Sequence, residues 1–280
     1  MQRLSGRRHF AVLLAIGLAG SLMLGVLGCG SSGATSTTAA SAITTGKSQT
    51  LTVSAAASLK DAFTEIGKAF DAANNCKTTF NFAASGTLQK QIEGGAPVDV
   101  FASAAMKQVT ALTDKQLADV ASVREFAGNE IVLVVPTNST LGLTRFQDLT
   151  KANVGKITYG DPKVAPNGVA AEQILTKVGI LSILKSKIVY AADVSQALTY
   201  VKSGEVDAGI VFASEATSAG DKVKVIAKAD QSWYTKVVYP AVLVSASEKK
   251  ELGQKFIDYL MSSDGQAILA KYGFLPAPVK

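Results

Sequence analysis

The sequence predicts an α/β fold of two lobes joined by two crossing strands, and three observations carry that expectation. From residue 51 onward, short runs rich in β-branched residues alternate with stretches of helical period. Two apolar runs, 130–136 and 236–245, are long for strands and mirror each other across the chain. The roughly 100 residues between them are enough for a core of their own. The first lobe is then built from both ends of the body, 51–131 and 240–280, and the second from 132–239.

The elements follow in order. Residues 51–53 read as a first strand, after which Leu59, Ala62, Phe63, Ile66, Phe70 and Ala73 fall on one face of a helix. A second strand is expected at 79–82, a helix starting at Ser85-Gly86-Thr87, a third strand at 98–101, and a helix marked by Met106, Val109 and Leu112. The middle section supplies strands at 157–159, 188–190, 209–212 and 223–226, with helices over 168–179 and 194–203. Two helices close the chain, the first with Leu252, Phe256, Ile257 and Leu260 on its apolar face.

The 280 residues are 48% hydrophobic and 18% charged, which excludes a disordered chain. Of 28 basic residues three (Arg3, Arg7, Arg8) precede residue 29, leaving 25 against 22 acidic ones, so electrostatic binding to nucleic acid has little support. The one histidine, His9, also lies in that N-terminal stretch, so the body has no imidazole for a general base, a triad or zinc. Cys29 and Cys76 are too few for a metal framework or a disulfide scaffold.

Residues 1–28 combine a basic start, an apolar run and a terminal glycine, the pattern of an export signal. Val26-Leu27-Gly28-Cys29 resembles a bacterial lipobox, which implies cleavage before Cys29, lipidation of its sulfur and anchoring of the body to the cell membrane. The stretch 30–50 holds eleven Ser or Thr and no aromatic residue, so 29–50 reads as a flexible tether.

Chemistry is expected at four strand-to-helix junctions: Ala57-Ser58, Ser85-Gly86, Asn167-Gly168 and Asp193-Val194. In an α/β lobe such junctions lie at the carboxyl ends of the strands, where ligands collect. A helix start presents unpaired N–H groups and a partial charge of about +0.5, so four that converge would balance a dianion without a cationic side chain. Each junction taken alone reads first as ordinary N-capping, including a capping pattern from Ser58 to Asp61, and only their convergence would turn them into a site.

The segments Val53-Ser54-Ala55-Ala56-Ala57-Ser58-Leu59, Phe82-Ala83-Ala84-Ser85-Gly86-Thr87-Leu88 and 91–101 stand in one order with Gly160-Asp161-Pro162, Pro166-Asn167-Gly168, Ala192-Asp193-Val194, 209–212 and Lys271-Tyr272-Gly273-Phe274. Together they resemble the substrate-binding proteins of bacterial molybdate ABC transporters. The resemblance implies a type II periplasmic binding protein fold that closes on molybdate or tungstate. It also implies an extracytoplasmic monomer, without a cofactor or a metal held by side chains, that delivers its anion to a permease driven by an ATPase. By the same resemblance Ser58 and Ser85 donate from the first lobe, and Asn167 and Val194 offer backbone N–H groups from the second. Phe212 stands where the family usually has a tyrosine whose phenol donates to the oxyanion, so one donor is missing here.

Two other readings remain open in the sequence. One is a binder of sulfate or an organic anion; a donor-only lining would still disfavour protonated phosphate. The other is an enzyme using Ser58, Ser85 or Cys76 as nucleophile, which lacks a base in reach because Lys60 projects from a different helical face than Ser58. Trp233 and Tyr234 are expected to pack, not to touch ligand, and Cys76 is expected to be a free, partly buried thiol.

Overall fold

The computed structural model describes residues 49–277; the export segment, Cys29 and the tether as far as residue 48 lie outside the described residues. Gln49 and Thr50, assigned to the tether by composition, open the first strand and pair with Cys76 and Lys77. In the first half of the chain the elements are β1 (Gln49–Ala56), α1 (Lys60–Asn74), β2 (Cys76–Ala83), α2 (Ser85–Glu93), β3 (Val100–Ala102), α3 (Met106–Asp114), β4 (Arg124–Asn129) and β5 (Ile131–Pro136). Then come β6 (Ile157–Gly160), α4 (Pro166–Lys177), α5 (Leu181–Leu184), β7 (Ile188–Ala191), α6 (Val194–Ser203), β8 (Ala208–Phe212) and α7 (Ala213–Ala219). The chain ends through β9 (Val223–Lys228), β10 (Val237–Leu243), α8 (Lys250–Met261) and α9 (Ser263–Lys271).

These form two five-stranded sheets, in the orders β2-β1-β3-β10-β4 and β7-β6-β8-β5-β9. Each sheet has three parallel strands on one side and an antiparallel strand delivered from the other lobe: β10 beside β3, and β5 beside β8. The chain crosses twice, once through Glu130 alone between β4 and β5, and once through the loop between β9 and β10. The crossings are tied together, since Ile131 donates its N–H to Tyr234 Oη at 3.2 Å and Ala229 donates to the Ile131 carbonyl at 2.9 Å. Tyr234 therefore packs at the hinge, and Trp233 packs edge-on against Phe146, as the sequence suggested.

Helix α1 follows from its spacing: Ala62, Phe63, Ile66 and Phe70 face the sheet and are buried, and the helix stops at Asn75, whose φ of 48° is left-handed. Phe63 lies 5.9, 5.8 and 5.7 Å from the rings of Phe80, Phe126 and Phe256, so residues from both ends of the chain share one aromatic cluster. That cluster joins the two sequence segments of the first lobe.

Three boundaries differ from the expected ones. Strand β4 has no counterpart in the sequence reading, because Arg124-Glu125-Phe126-Ala127-Gly128-Asn129 neither alternates nor runs apolar. The third strand is Val100–Ala102 rather than 98–101; Asp99 leaves the ladder to receive the Thr52 N–H on its carboxylate and the Ser247 hydroxyl. Residues 237–239, expected in the second lobe, belong to the first sheet, where they pair with Asn129, Gly128 and Ala127, so the return crossing precedes Val237. The short helix α7 also escaped the sequence reading, its seven residues ASEATSA being too few to show a period.

The parallel strands aim their carboxyl ends, and the helices that follow them, at one place. In the second lobe this needs a close approach of α4 to the end of β6: a Cβ on Gly168 would lie 1.9 Å from the Gly160 carbonyl oxygen. Gly168→Ala is expected to destabilise the protein by at least about 1–3 kcal/mol, the scale of overpacking, although alanine is the better helix former. Denaturant unfolding measures it, and a variant as stable as wild type would contradict the packing.

Candidate functional site

All four predicted junctions meet at one narrow cavity between the lobes, of about 10 Å³, which also takes in Phe212. Ser58, Ser85, Asn167, Val194 and Phe212 are each buried and each line it. Sequence could propose the junctions singly; their convergence depends on the two sheets facing each other. Contacts across the cleft hold the lobes together here: Gly86 donates its N–H to the Val164 carbonyl at 2.9 Å, and Ser195 Oγ lies 3.4 Å from the Ala57 carbonyl oxygen.

The capping alternative fails at three of the four junctions. Neither Ser58 nor Ser85 nor Asn167 makes a side-chain cap, the N-cap positions being Ala56, Ala84 and Ala165, and the capping pattern from Ser58 to Asp61 does not form. Only Asp193 caps, accepting the Gln196 N–H at 2.9 Å. The first-turn N–H groups of these helices have no partner within their own helices, and three of the helices, α2, α4 and α6, run for 9, 12 and 10 residues.

The serine hydroxyls are oriented by what they accept. Ser85 Oγ accepts the Ala104 N–H at 3.0 Å, and among the described residues no acceptor takes its proton, so the hydroxyl is left to donate into the cavity. Ser58 Oγ lies 2.9 Å from the buried Tyr239 hydroxyl. Asn167 contributes mainly its backbone, since its side chain reaches only the Ile210 carbonyl at 3.4 Å. The lining contains no lysine or arginine, and its one ionisable side chain, Asp193, is committed to its cap. Phe212 presents a ring edge-on to Tyr239, centroids 6.0 Å apart, and no donor.

Such a cavity has hydrogens to give and positive helix ends; its one carboxylate, Asp193, is taken up by its cap, and among the described residues no histidine, lysine or cysteine lines it. Ser58 is partnered by a phenol. Cys76 stands away from the cavity at the start of β2, its thiol pushed up to about 11 by burial and by the Asp71 carboxylate it donates to. Among the described residues no group of three or more His, Cys, Asp or Glu could hold a metal ion. The arrangement suits an anion with no proton of its own.

Beside the cavity, and not anticipated from sequence, lies Glu215 in α7. It is 6% exposed and accepts the Ser195 hydroxyl at 3.1 Å. Burial, then Asp61 and Asp193, push its carboxyl up to about 7 against the pull of Ser195 and Lys202.

Residues 51–275 match the family described as bacterial extracellular solute-binding protein. YvgL of Bacillus subtilis (strain 168), whose name provisionally describes an ABC transporter substrate-binding lipoprotein, is 38% identical over 229 residues, covering 81% of this chain and 87% of its own. The molybdate-binding protein ModA of Escherichia coli (strain K12) is 35% identical over 228 residues, covering 80% and 88%. Among solved structures, the substrate-binding domain assigned provisionally to a molybdenum ABC transporter of Clostridium difficile superposes with a TM-score of 0.65 at 36% identity, over 82% of this chain and all of that one.

Glu215 generates a pH prediction. Its folded pKa of about 7 exceeds the ordinary 4.5, so the folded state holds more protons than the unfolded state between these values. Stability therefore falls as pH rises through that window and levels off above it. Glu215→Gln keeps an acceptor for Ser195 and is expected to flatten this dependence and raise the Tm at pH 7.5 relative to wild type. Parallel Tm curves from pH 4.5 to 7.5 would contradict the buried, protonated carboxyl.

Proposed function

The chain belongs to the bacterial extracellular solute-binding proteins, it is not an enzyme, and from that premise we propose that it captures molybdate, or tungstate, for an ABC permease. The observation that carries the reading is the cavity itself: two serine hydroxyls, the starts of α2, α4 and α6 and the short helical turn at Ala57–Leu59, with no cationic side chain. A fully ionised tetrahedral oxyanion accepts on every oxygen and offers no proton. Donors on buried residues therefore match it, and the helix starts supply positive charge without the desolvation cost of a buried lysine. Ser58 and Ser85 donate from the first lobe, and the N–H groups of Asn167 and Val194 from the second. Relatives named for molybdate add weight to the ligand's identity.

Export and anchoring complete the proposal. The signal pattern and Cys29 support a lipidated, extracytoplasmic monomer on a flexible tether that hands its anion to the permease, with segments 51–131 and 240–280 forming one lobe and 132–239 the other, adjusted at the return crossing. The phenyl ring of Phe212 in place of the family's phenol removes one donor, and a competing reading is another tetrahedral dianion such as sulfate.

Titration calorimetry of the purified chain with molybdate, tungstate, sulfate and phosphate tests the reading. Molybdate or tungstate is expected to bind most tightly, and Ser58→Ala or Ser85→Ala to weaken it by about 1.5–3 kcal/mol, the scale of a hydrogen bond to a charged group. Tightest binding of sulfate, or unaltered affinity in both serine variants, would contradict it.

Closure gives a second test. A Cβ on Gly86 would lie 2.8 Å from the Val164 oxygen and 2.9 Å from its Cα, backbone atoms of the opposite lobe. Gly86→Ala is expected to keep or raise the stability of the ligand-free protein, while weakening molybdate binding and leaving a larger radius of gyration at saturating molybdate. Identical scattering from variant and wild type at saturation would contradict a lobe contact made on closure.

A further inference from the structure

The direction of the Ser58 hydroxyl is set by side chains that do not reach the cavity. Asn129 ends β4, one residue before the first crossing. Its Oδ1 accepts the Glu130 N–H at 2.9 Å and the Ser214 N–H at 3.4 Å, so the other edge of the amide is the donor edge. From there Nδ2 donates to Ser214 Oγ at 2.8 Å and to Tyr239 Oη at 3.2 Å. Both amide hydrogens are then used, and the flip of the amide is fixed by backbone donors that cannot reverse.

Tyr239 is fully buried in β10, its ring packed edge-on against Phe126, Phe212 and Phe274. Burial pushes its phenol far up, so it keeps its proton. The oxygen already accepts from Asn129, and Ser58 Oγ, at 2.9 Å, is the neighbour left for the phenolic hydrogen. Ser58 accepts it and must send its own hydrogen elsewhere, into the cavity.

We propose that Asn129 and Tyr239 form a one-way hydrogen-bond relay that holds Ser58 as a donor, making Tyr239 a positioning residue for selectivity against protonated oxyanions. The inference rests on the oxyanion reading of the site. An anion oxygen without a proton meets the Ser58 hydrogen well; a protonated oxygen meets it hydrogen to hydrogen unless Ser58 turns round. Turning round would leave the Ser58 proton without an acceptor, because Tyr239 Oη is occupied by Asn129 and is itself donating. The Ser85 hydroxyl is directed by a backbone N–H from Ala104, so the relay is the part of this selectivity that side chains carry.

The test compares molybdate with inorganic phosphate, which carries one or two protons near pH 7, by calorimetry on the full-length chain. Tyr239→Phe keeps the ring and its packing but frees Ser58 to rotate and to accept. Its molybdate affinity is expected to fall about tenfold, the weight of one net hydrogen bond, while phosphate loses less or gains, so the molybdate-to-phosphate ratio drops. Asn129→Asp keeps acceptors for the Glu130 and Ser214 N–H groups but cannot donate to Tyr239. The phenol then donates to the aspartate and Ser58 to the phenol, and the ratio is expected to drop again. Equal losses for both anions in the two variants would assign Tyr239 a merely structural part and overturn the relay, as would unchanged molybdate binding. A wild-type chain that binds neither anion would overturn the oxyanion reading, and the relay with it.

Discussion

Backbone N–H groups that begin helices cannot be satisfied by the helices they begin, and this protein buries several of them around one small space. Three of the four junctions decline the local remedy, a side chain capping its own helix. A narrow cavity lined in this way is electrostatically incomplete, because buried donors without acceptors are costly. On the proposed reading, an anion in the cavity would supply the acceptors that the chain withholds. On that reading no cationic side chain is needed, since the starts of α2, α4 and α6, with the short helical turn at Ala57–Leu59 beside them, face an anion with positive partial charge.

The rest of the fold serves that convergence. Parallel strands in each sheet set their carboxyl ends toward the cleft, and the two crossings let the lobes meet there. Asn129 sits where these requirements intersect, at the first crossing, bonded to Ser214 of the second lobe and to Tyr239 of the first. The buried polar groups near the cleft thus form a connected set in which orientation is fixed, and Phe212 adds shape to it without adding a donor. Glu215, its carboxyl pushed up to about 7 by burial, lies at the edge of the set and carries less negative charge near neutral pH than an ordinary carboxylate.

Much of this was legible in the sequence. Periodicity places nearly every strand and helix, the mirrored runs mark the two crossings, and the junctions at Ser58, Ser85, Asn167 and Val194, which line one cavity, are visible singly in the sequence. What stayed hidden was non-local. Strand β4 is written in residues without alternation, because its partner β10 and the aromatic cluster define it. The return crossing was set too late because the run 236–245 reads as one apolar stretch regardless of which sheet it joins. Asn129, Tyr239 and Glu215 carry no motif, and only the pairing of β4 with β10 and the docking of α7 reveal what they do. The serines were expected to act as donors; which neighbour makes each one a donor depends on atoms far away in sequence, 181 residues in the case of Ser58.

The central claim, that a deprotonated oxyanion completes this cavity through neutral donors alone, is tested most directly by a crystal structure of the chain grown with molybdate, using the anomalous signal of molybdenum. The account predicts one molybdenum site between the lobes, its oxygens within about 2.7–3.1 Å of Ser58 Oγ, Ser85 Oγ and the N–H groups of Asn167 and Val194, with no lysine or arginine in contact. Molybdenum found elsewhere, or held in the cleft by a cationic side chain, would contradict it.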